Sequence, residues 1–388
     1  MTALEADVER RVDVGDTDLH ATLRAVAILP RDPTVVLERE SMRRATFTPD
    51  GPATILVTWT SGSPVATVRC WGAGAQWIAD RADRLLGASD DHGAFEPTTE
   101  PLRGIWRQHR GLRLTRTGTL WHDLAALVLQ QRIRFTDAAA QWRSLVGGLG
   151  SEAPGPLDLR LPPDPAMMAR AGYGDLHGFG IERSRAETLI RSARELPRLE
   201  RRVDEPYAAA DARLTAIRGI GPWTRGALAG VTWGHADAVV VGDVGIPSMV
   251  SFTLTGEPRA DDERMLELLE PHRPHRYRVL QLLFPRAMIL KPKFVVLDEP
   301  TSALDMTVQT QIVDLLRDLQ QKYELGYLFI SHDLKVVRAM AHRLIIMRQG
   351  NVVEHGLAAR LFERPSTDYA KALMAAAFDM RSHAGASE

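Results

Sequence analysis

The sequence of 388 residues contains a single cysteine, Cys70, and no lysine before residue 285. One cysteine rules out a disulfide framework and a four-cysteine iron–sulfur cluster, and it suits a reducing compartment. No apolar run approaches the roughly 18 residues that a membrane-spanning helix needs. The first residues, MTALEADVERR, are acidic and polar, unlike a signal peptide. We therefore expect a cytoplasmic protein that does not insert into membranes.

An excess of charge of one sign is also missing, because 48 basic and 49 acidic side chains leave a formal net charge of -1. Any affinity for nucleic acid must then come from a local basic surface. Residues 1–284 carry 35 arginines and all eight tryptophans, whereas all five lysines lie after residue 285. This change of composition predicts a junction near Phe284 and Pro285 between segments of different origin.

Residues 1–108 predict a small β-rich domain. Runs over 53–59 and 64–71 alternate apolar and polar side chains, which is the period of strands with one buried face. Clusters of proline and glycine separate these runs. Residues 76–86 have the pattern of an amphipathic helix. No cluster of chemically reactive side chains is apparent in this segment, so we expect it to be structural.

From Trp121 the apolar period becomes helical, and residues 109–284 predict an all-α domain. Two helices are predicted on either side of a break near Phe135, with Thr136 or Asp137 as the N-cap of the second. Further helices are predicted over 183–200, 261–269 and 277–283.

Residues 214–250 carry the strongest local signal of this segment. A helix-like run turns through Gly219 and Gly221, and a second helix restarts at Pro222. Glycine frees the backbone of such a turn and removes side chains that would block a close approach. The amides exposed at the start of the second helix suit one phosphate. Asp243 follows that helix and an apolar run, so the pattern predicts a phosphate cradle and a carboxylate at a fixed separation.

Each of these features also has a purely structural interpretation. Two glycines one residue apart join helices in many proteins that bind no nucleic acid. Asp243 could simply cap a helix, because residues 244–250 have the composition of a helix start. The combination of the turn, Trp223 and Thr224 behind it, and Asp237 and Asp243 further on favours a functional site.

This stretch resembles the helix-hairpin-helix motif and the glycine- and proline-rich loop with aspartate of the base-excision DNA glycosylases, most closely the alkylbase (3-methyladenine) branch. The resemblance implies that Asp243 is catalytic and that Trp223 belongs to the base pocket. A departure is the loop before Asp243, which reads Val-Val-Val-Gly where relatives usually carry Phe-Pro. The turn near residue 132 faces the minor groove in this family, which implies a wedge at Arg132 or Ile133. The DNA-binding residues implied by the resemblance are Gly219, Gly221, Thr224, Gln131 and Arg132.

The implied activity is excision of alkylated bases from double-stranded DNA by base flipping and hydrolysis of the N-glycosidic bond. Glycosylases that also cut the backbone use an amine to form a Schiff base. Because residues 1–284 contain no lysine, we expect a monofunctional enzyme. Excision requires no metal and no cofactor, although a monovalent cation at the hairpin is compatible with the resemblance. The alternative is a module that binds damaged DNA without catalysis.

The C-terminal segment carries a motif of another kind. An apolar strand ends in Asp298 and Glu299, the arrangement that holds Mg²⁺ and polarises water in nucleotide hydrolases. Residues 286–380 resemble the latter half of an ABC transporter ATPase of the oligopeptide or dipeptide importer kind. The resemblance implies Walker B and the catalytic glutamate at Asp298 and Glu299, the D-loop ending at Asp305, and the switch histidine at His332.

The parts that would grip ATP are missing from the sequence. A P-loop ends in Gly-Lys followed by Ser or Thr, but the five lysines precede Pro, Phe, Tyr, Val and Ala. We therefore expect neither ATP nor Mg²⁺ to be used. In the intact ATPase fold the P-loop strand lies between the strands near 330 and 344–347, so its absence predicts unpaired edges and exposed apolar faces. An incomplete ATP-binding subunit of a peptide transporter, with a residual association with ABC subunits, is the alternative.

The sequence as a whole thus predicts a multidomain α+β chain. A β-rich domain over 1–108 precedes an all-α helix-hairpin-helix domain over 109–284, and a partial α/β ATPase fragment over 285–388 follows.

Overall fold

The structure is a computed structural model that describes residues 5–93, 95–200, 202–289, 294–298 and 326–378, together with 309, 312–314, 316, 317 and 320. The chain divides into two compact units, Met1–Ala287 and Met288–Glu388, which we call unit 1 and unit 2. The boundary between them is close to the junction that the composition predicts. The predicted boundary at residue 108 lies inside unit 1.

Unit 1 begins with a five-stranded antiparallel sheet. Its strands are β1 (Val8–Asp13), β2 (Val35–Leu37), β3 (Ser41–Thr48), β4 (Gly51–Trp59) and β5 (Val65–Trp71), and their spatial order is β1-β5-β4-β3-β2. Ile55 pairs with Cys70 and Val57 pairs with Val68, and all four side chains are fully buried. Alternate residues of a strand share one face, so these apolar side chains all lie on the core side of the sheet.

Most of the rest of unit 1 is helical, so the described residues have a mixed α+β fold. The helices are α1 (Leu19–Leu23), α2 (Ala75–Asp80), α3 (Ala82–Leu85), α4 (Glu100–Gln108), α5 (Leu120–Gln130), α6 (Phe135–Leu149), α7 (Pro165–Arg170), α8 (Tyr173–His177), α9 (Arg183–Glu200), α10 (Tyr207–Ala216), α11 (Pro222–Val231), α12 (Ile246–Thr255), α13 (Asp262–Leu269) and α14 (Arg276–Ile289). Among the described residues, every helix is too short or too polar to span a bilayer.

Two details of the sequence prediction were wrong. The helix predicted over 76–86 is interrupted at Arg81, which separates α2 from α3. Helix α6 begins at Phe135 with Arg134 as its N-cap, so Asp137 lies inside the first turn. There the Asp137 carboxylate accepts a hydrogen bond from Arg134 Nε at 3.1 Å. The chain enters the helix earlier than expected because Arg132 already turns it, with a positive φ of 57°.

The sheet and the helices share one hydrophobic core. The buried face of β4 and β5 packs with Trp121 and Leu124 of α5 and with Trp142 of α6. A second cluster joins α12, α13 and α14, and it includes Val250, Met265 and other fully buried aliphatic side chains. The half-buried Trp223 of α11 packs against both clusters. This tryptophan therefore lies where the two cores of unit 1 meet.

A buried ion pair fixes helix α5 to the sheet and to the end of α11. Asp123 accepts hydrogen bonds from Arg44 Nη2 on β3 and from Thr232 Oγ1, which follows α11, both at 2.8 Å. Thr117 Oγ1 also donates to this carboxylate. A buried charge must be paired and hydrogen-bonded to be tolerated. The network therefore sets the position of α11 relative to α5.

The described residues of unit 2 form two separate two-stranded sheets. Strands β6 (Phe294–Asp298) and β7 (Gly326–Ile330) are parallel, and β8 (Arg343–Arg348) and β9 (Asn351–Leu357) are antiparallel. Helix α15 (Leu334–Met340) joins the two sheets, and α16 (Ala358–Glu363) and α17 (Asp368–Phe378) follow.

Several strands of unit 2 present apolar side chains to solvent. Leu328 and Ile330 of β7 and Ile345 and Met347 of β8 are between 42% and 57% exposed. Within the described strands, β7 and β8 are not paired with each other. Parallel sheets are normally covered on both faces. Among its described strands, unit 2 thus has the unpaired edges and exposed apolar faces that the lack of a strand between β7 and β8 would leave.

Candidate active site

The hairpin between α10 and α11 depends on two glycines with different roles. Gly219 has a positive φ of 102°, and a Cβ there would lie 2.1 Å from Thr188 Oγ1 of α9. Any other residue at this position would be strained and would clash. Gly221 has a φ of -87°, and a Cβ there would meet nothing within 4 Å. The fold therefore requires Gly219, whereas Gly221 borders open space.

Helix α11 starts at the hairpin without a side-chain cap. Its N-cap is Gly221 and its first residue is Pro222, which has the φ of a helix and no N–H to satisfy. The amides of the first turn carry the positive end of the helix dipole. Trp223 lies in this first turn, and its indole N–H reaches the carboxylate of Asp243.

Asp243 accepts three hydrogen bonds. Its Oδ1 accepts from the backbone N–H groups of Gly245, at 2.8 Å, and Ile246, at 3.0 Å, at the start of α12. Its Oδ2 accepts from Trp223 Nε1 at 2.9 Å. Carboxylate oxygens act as hydrogen-bond acceptors, and the three N–H donors fix both oxygens of Asp243 in place. The structural interpretation and the functional one are thus compatible, because Oδ1 binds two backbone N–H groups at the start of α12 and Oδ2 accepts from Trp223 after the hairpin.

A close approach of two backbone segments brings this carboxylate to the hairpin. A Cβ on Gly226 of α11 would lie 2.1 Å from the carbonyl oxygen of Val239. One turn later, a Cβ on Gly230 would lie 2.0 Å from the ring of Tyr277 on α14. The two glycines form one face of α11 that accepts the loop before Asp243 and the helix behind it. Residues separated by four along a helix share a face, which is the signal in the sequence that was missed.

Gln131, at the end of α5, joins the turn before α6 to the hairpin. Its Nε2 donates to the carbonyl oxygen of Gly219 at 3.0 Å and to Thr224 Oγ1 at 2.9 Å. Three of the predicted DNA-binding residues are therefore in contact. The Thr224 side chain is only 1% exposed, so it holds Gln131 and does not face solvent. Arg132 follows with an exposed side chain beside the hairpin.

The Asp237 carboxylate is held in ion pairs with two arginines. Its carboxylate accepts from Arg276 Nε and Nη2 of α14, both at 2.8 Å, and from Arg273 Nη1 at 3.1 Å. The Asp237 side chain is 14% exposed and that of Arg276 is 12% exposed. A planar guanidinium that meets both carboxylate oxygens is the strongest form of ion pair. Asp237 therefore anchors the loop before Asp243 to α14.

The residues of the second motif lie in unit 2. Asp298 is the last residue of β6, and His332 lies two residues after the end of β7. Asp333 caps α15 by accepting from the backbone N–H of Lys335 at 2.9 Å. Glu299 and Asp305 lie outside the described residues. Within the described part of the chain, no group of three acidic, histidine or cysteine side chains is arranged to hold a metal ion.

Comparisons with known proteins give two separate sets of relatives. The chain is 63% identical over 110 residues to the peptidoglycan transport ATP-binding protein YejF of Agrobacterium fabrum, which covers 28% of this chain and 20% of that protein. It is 37% identical over 140 residues to the di/tripeptide transport ATP-binding protein DppF of Pseudomonas aeruginosa, covering 34% and 43%. The chain thus spans less than half the length of these relatives. No protein-family model matches it.

Solved structures resemble a different and larger part of the chain. A 3-methyladenine DNA-glycosylase from Archaeoglobus fulgidus superposes with a TM-score of 0.61 at 20% identity, covering 72% of this chain and 99% of that one. An 8-oxoguanine glycosylase/lyase from Clostridium acetobutylicum, in complex with double-stranded DNA, gives a TM-score of 0.54 at 12% identity, covering 74% and 99%. At these identities the likeness defines the fold alone.

The class of the chain follows from both sets. Most of it has the fold of the helix-hairpin-helix DNA glycosylases, and a smaller part is homologous to the ATP-binding proteins of peptide ABC transporters. This confirms the prediction that the chain is a fusion of these two kinds of sequence.

Proposed function

We propose that unit 1 is a monofunctional DNA glycosylase that excises alkylated bases of the 3-methyladenine type from double-stranded DNA. The observation that carries the proposal is the Asp243 carboxylate, which three N–H donors hold beside the helix that starts at the hairpin. A catalytic group must be fixed by its surroundings to act in the transition state.

The hairpin supplies a grip for the DNA backbone. Gly221 borders open space, so a phosphate can approach the amides at the start of α11. The side chains of Arg218 in the hairpin and of Arg132 in the adjacent turn are exposed and add positive charge. Phosphate contacts fix the register of a protein on DNA without reading its sequence. Arg132 has a positive φ and an exposed side chain, which suits a wedge that fills the space of an extruded base.

Excision then uses Asp243 as an electrostatic partner of the sugar. Cleavage of an N-glycosidic bond passes through a sugar with oxocarbenium character, which a nearby carboxylate stabilises. The same carboxylate can orient the incoming water. Trp223 Nε1 donates to Oδ2, and the indole is only partly buried, so we assign its exposed part to the base pocket. An alkylated purine is cationic, which suits an aromatic face and makes the base a good leaving group without a general acid.

The target base must leave the stack before it reaches Asp243. Extrusion costs roughly a few kcal/mol and is least costly for damaged or mispaired bases. A lyase step would need an amine to attack the sugar. Unit 1 has no lysine, and the resemblance to the glycosylase family implies that Trp223 stands where the enzymes that cut the backbone carry their amine. The product is therefore an intact strand with an abasic site.

A duplex oligonucleotide that contains one alkylated base tests the proposal. We expect release of the base, strand cleavage only after alkali, and no protein–DNA adduct after borohydride treatment. Robust nicking without alkali would contradict the monofunctional assignment. Tight binding to damaged duplexes without base release would support the non-catalytic alternative instead.

We propose that unit 2 does not hydrolyse ATP. Its relatives include ATP-binding proteins of peptide transporters, which favours an ATP-binding subunit as the second candidate function. However, the chain has no P-loop to cradle the phosphates. Phosphate release by the purified protein should equal that of a Glu299→Gln variant. Turnover that this substitution abolishes would refute the proposal.

A further inference from the structure

The loop that carries Asp243 is held from a second direction, by helix α13. The backbone N–H of Gly242 donates to Asp262 Oδ2 at 2.8 Å. Gly242 has a positive φ of 81°, a conformation that is rare for other residues. The dihedral angles of Gly242 set the direction in which the next residue, Asp243, leaves the backbone. The contact with Asp262 therefore acts on the residue that aims the candidate catalytic carboxylate.

The Asp262 carboxylate has a single role in the described structure. Its other oxygen, Oδ1, is buried and has no hydrogen-bond partner among the described residues. It does not cap its own helix, because Asp261 performs this function by accepting from the backbone N–H of Arg264 at 3.0 Å. A buried carboxylate oxygen without a partner is unfavourable. The Gly242 N–H is thus the contact that the Asp262 side chain makes.

Helix α13, which carries Asp262, is itself held in place by an ion pair and by packing in the core. Arg264 donates from Nε and Nη2 to both oxygens of Glu257, which follows α12, at 3.1 and 2.7 Å. Met265 and Leu269 pack in the same core cluster as Val250 of α12. Asp243 is bound to the start of α12, and α12 packs on α13. The carboxylates of Asp243 and Asp262 are therefore both held by this pair of helices.

We infer that Asp262 is a positioning residue for Asp243, which it aims by holding the Gly242 peptide in its left-handed conformation. The inference rests on the proposed glycosylase function and adds a residue to its site. Asp262 acts through the backbone and does not face the sugar. Loss of the contact should let Gly242 adopt other conformations and swing Asp243 away from its three donors.

Three variants of the full chain test this inference in single-turnover excision with saturating enzyme. Asp262→Ala should lower the excision rate by about tenfold or more, because a small misplacement of a catalytic group is costly. Asp262→Asn keeps an acceptor for the Gly242 N–H and should recover most of the rate. Asp261→Ala removes the cap of the same helix and should lower thermal stability with little effect on the rate. Equal rates for Asp262→Ala and Asp261→Ala would overturn the inference.

A second measurement is independent of activity. The indole N–H resonance of Trp223, assigned with Trp223→Phe in proton–nitrogen correlation NMR, reports the hydrogen bond to Asp243. It should move in Asp262→Ala and stay in place in Asp261→Ala. An unmoved resonance in Asp262→Ala would also overturn the inference. If the wild-type chain excised no base, the proposed function would fail, and the resonance would still decide whether Asp262 holds Asp243.

Discussion

Replacing Trp223 with phenylalanine isolates the indole N–H from the rest of the site. The substitution keeps an aromatic ring between the two cores and removes the 2.9 Å hydrogen bond to Asp243 Oδ2. The two backbone donors to Oδ1 remain, so the carboxylate keeps its place at α12 but loses the bond that fixes its rotation. The variant therefore separates the orientation of the carboxylate from its presence.

The energy of the lost hydrogen bond sets the expected size of the effect. A hydrogen bond to a charged group contributes about 1.5–3 kcal/mol. If this energy is lost in the transition state, the excision rate of Trp223→Phe should fall by about ten- to hundredfold, since about 1.4 kcal/mol corresponds to a factor of ten. Single-turnover excision from a duplex with one alkylated base measures the rate, and binding to a duplex with an abasic-site analogue provides the control. Binding should change little.

Trp223→Ala is the matched comparison. It removes the hydrogen bond and the ring that packs against both core clusters, so it should also lower the unfolding temperature. The reasoning would be refuted if Trp223→Phe excised at the wild-type rate. It would also be refuted if Trp223→Phe lost affinity for the abasic duplex without losing rate, because the indole would then act in DNA binding.

Three further predictions concern the hairpin, a largely buried ion pair and a half-buried glutamate. Gly221→Ala should keep the wild-type unfolding temperature and weaken duplex binding. Gly219→Ala should cost about 1–2 kcal/mol of stability through its positive φ alone. Similar stability of the two variants in thermal unfolding would count against their different roles. Arg276→Ala should cost about 3 kcal/mol in urea unfolding, because it leaves Asp237 largely buried without its main partner, and an unchanged midpoint would argue against the anchor. Burial raises the pKa of Glu200, at the end of α9, to about 7 from 4.5, so the folded state loses stability as the pH rises between these values. Glu200→Gln should therefore be more stable than wild type above pH 7, by up to about 3 kcal/mol, and equal to it near pH 4.5. A constant difference in stability across this pH range would contradict the prediction.

Local periodicity was sufficient to predict the elements whose side chains alternate or recur regularly. Strands β4 and β5 and helix α9 lie where the sequence predicts them, because burial of one face imposes a period of two or about 3.6 residues. The hairpin glycines were also visible, since Gly219 needs a conformation that few residues adopt. These signals depend on neighbours along the chain.

The contacts that assemble the site depend on residues far apart in the sequence. The approach of Val239 to Gly226, and the hold of Asp262 on Gly242, follow from how α11, α13 and the loop pack. A single sequence does not show which residues of such distant segments face each other. For the same reason the alternatives for Asp243 stayed open, because a helix cap and a catalytic carboxylate require the same residue type at the same position.

The central claim is that one fixed carboxylate makes this fold a glycosylase, and Asp243→Asn tests it most directly. Asparagine keeps the shape and can still accept from Gly245 and Ile246, but it has no charge to stabilise the sugar cation. In single-turnover excision from an alkylated duplex, we expect the rate to fall by at least about a hundredfold while binding to an abasic duplex is retained. Excision by Asp243→Asn at the wild-type rate would contradict the account.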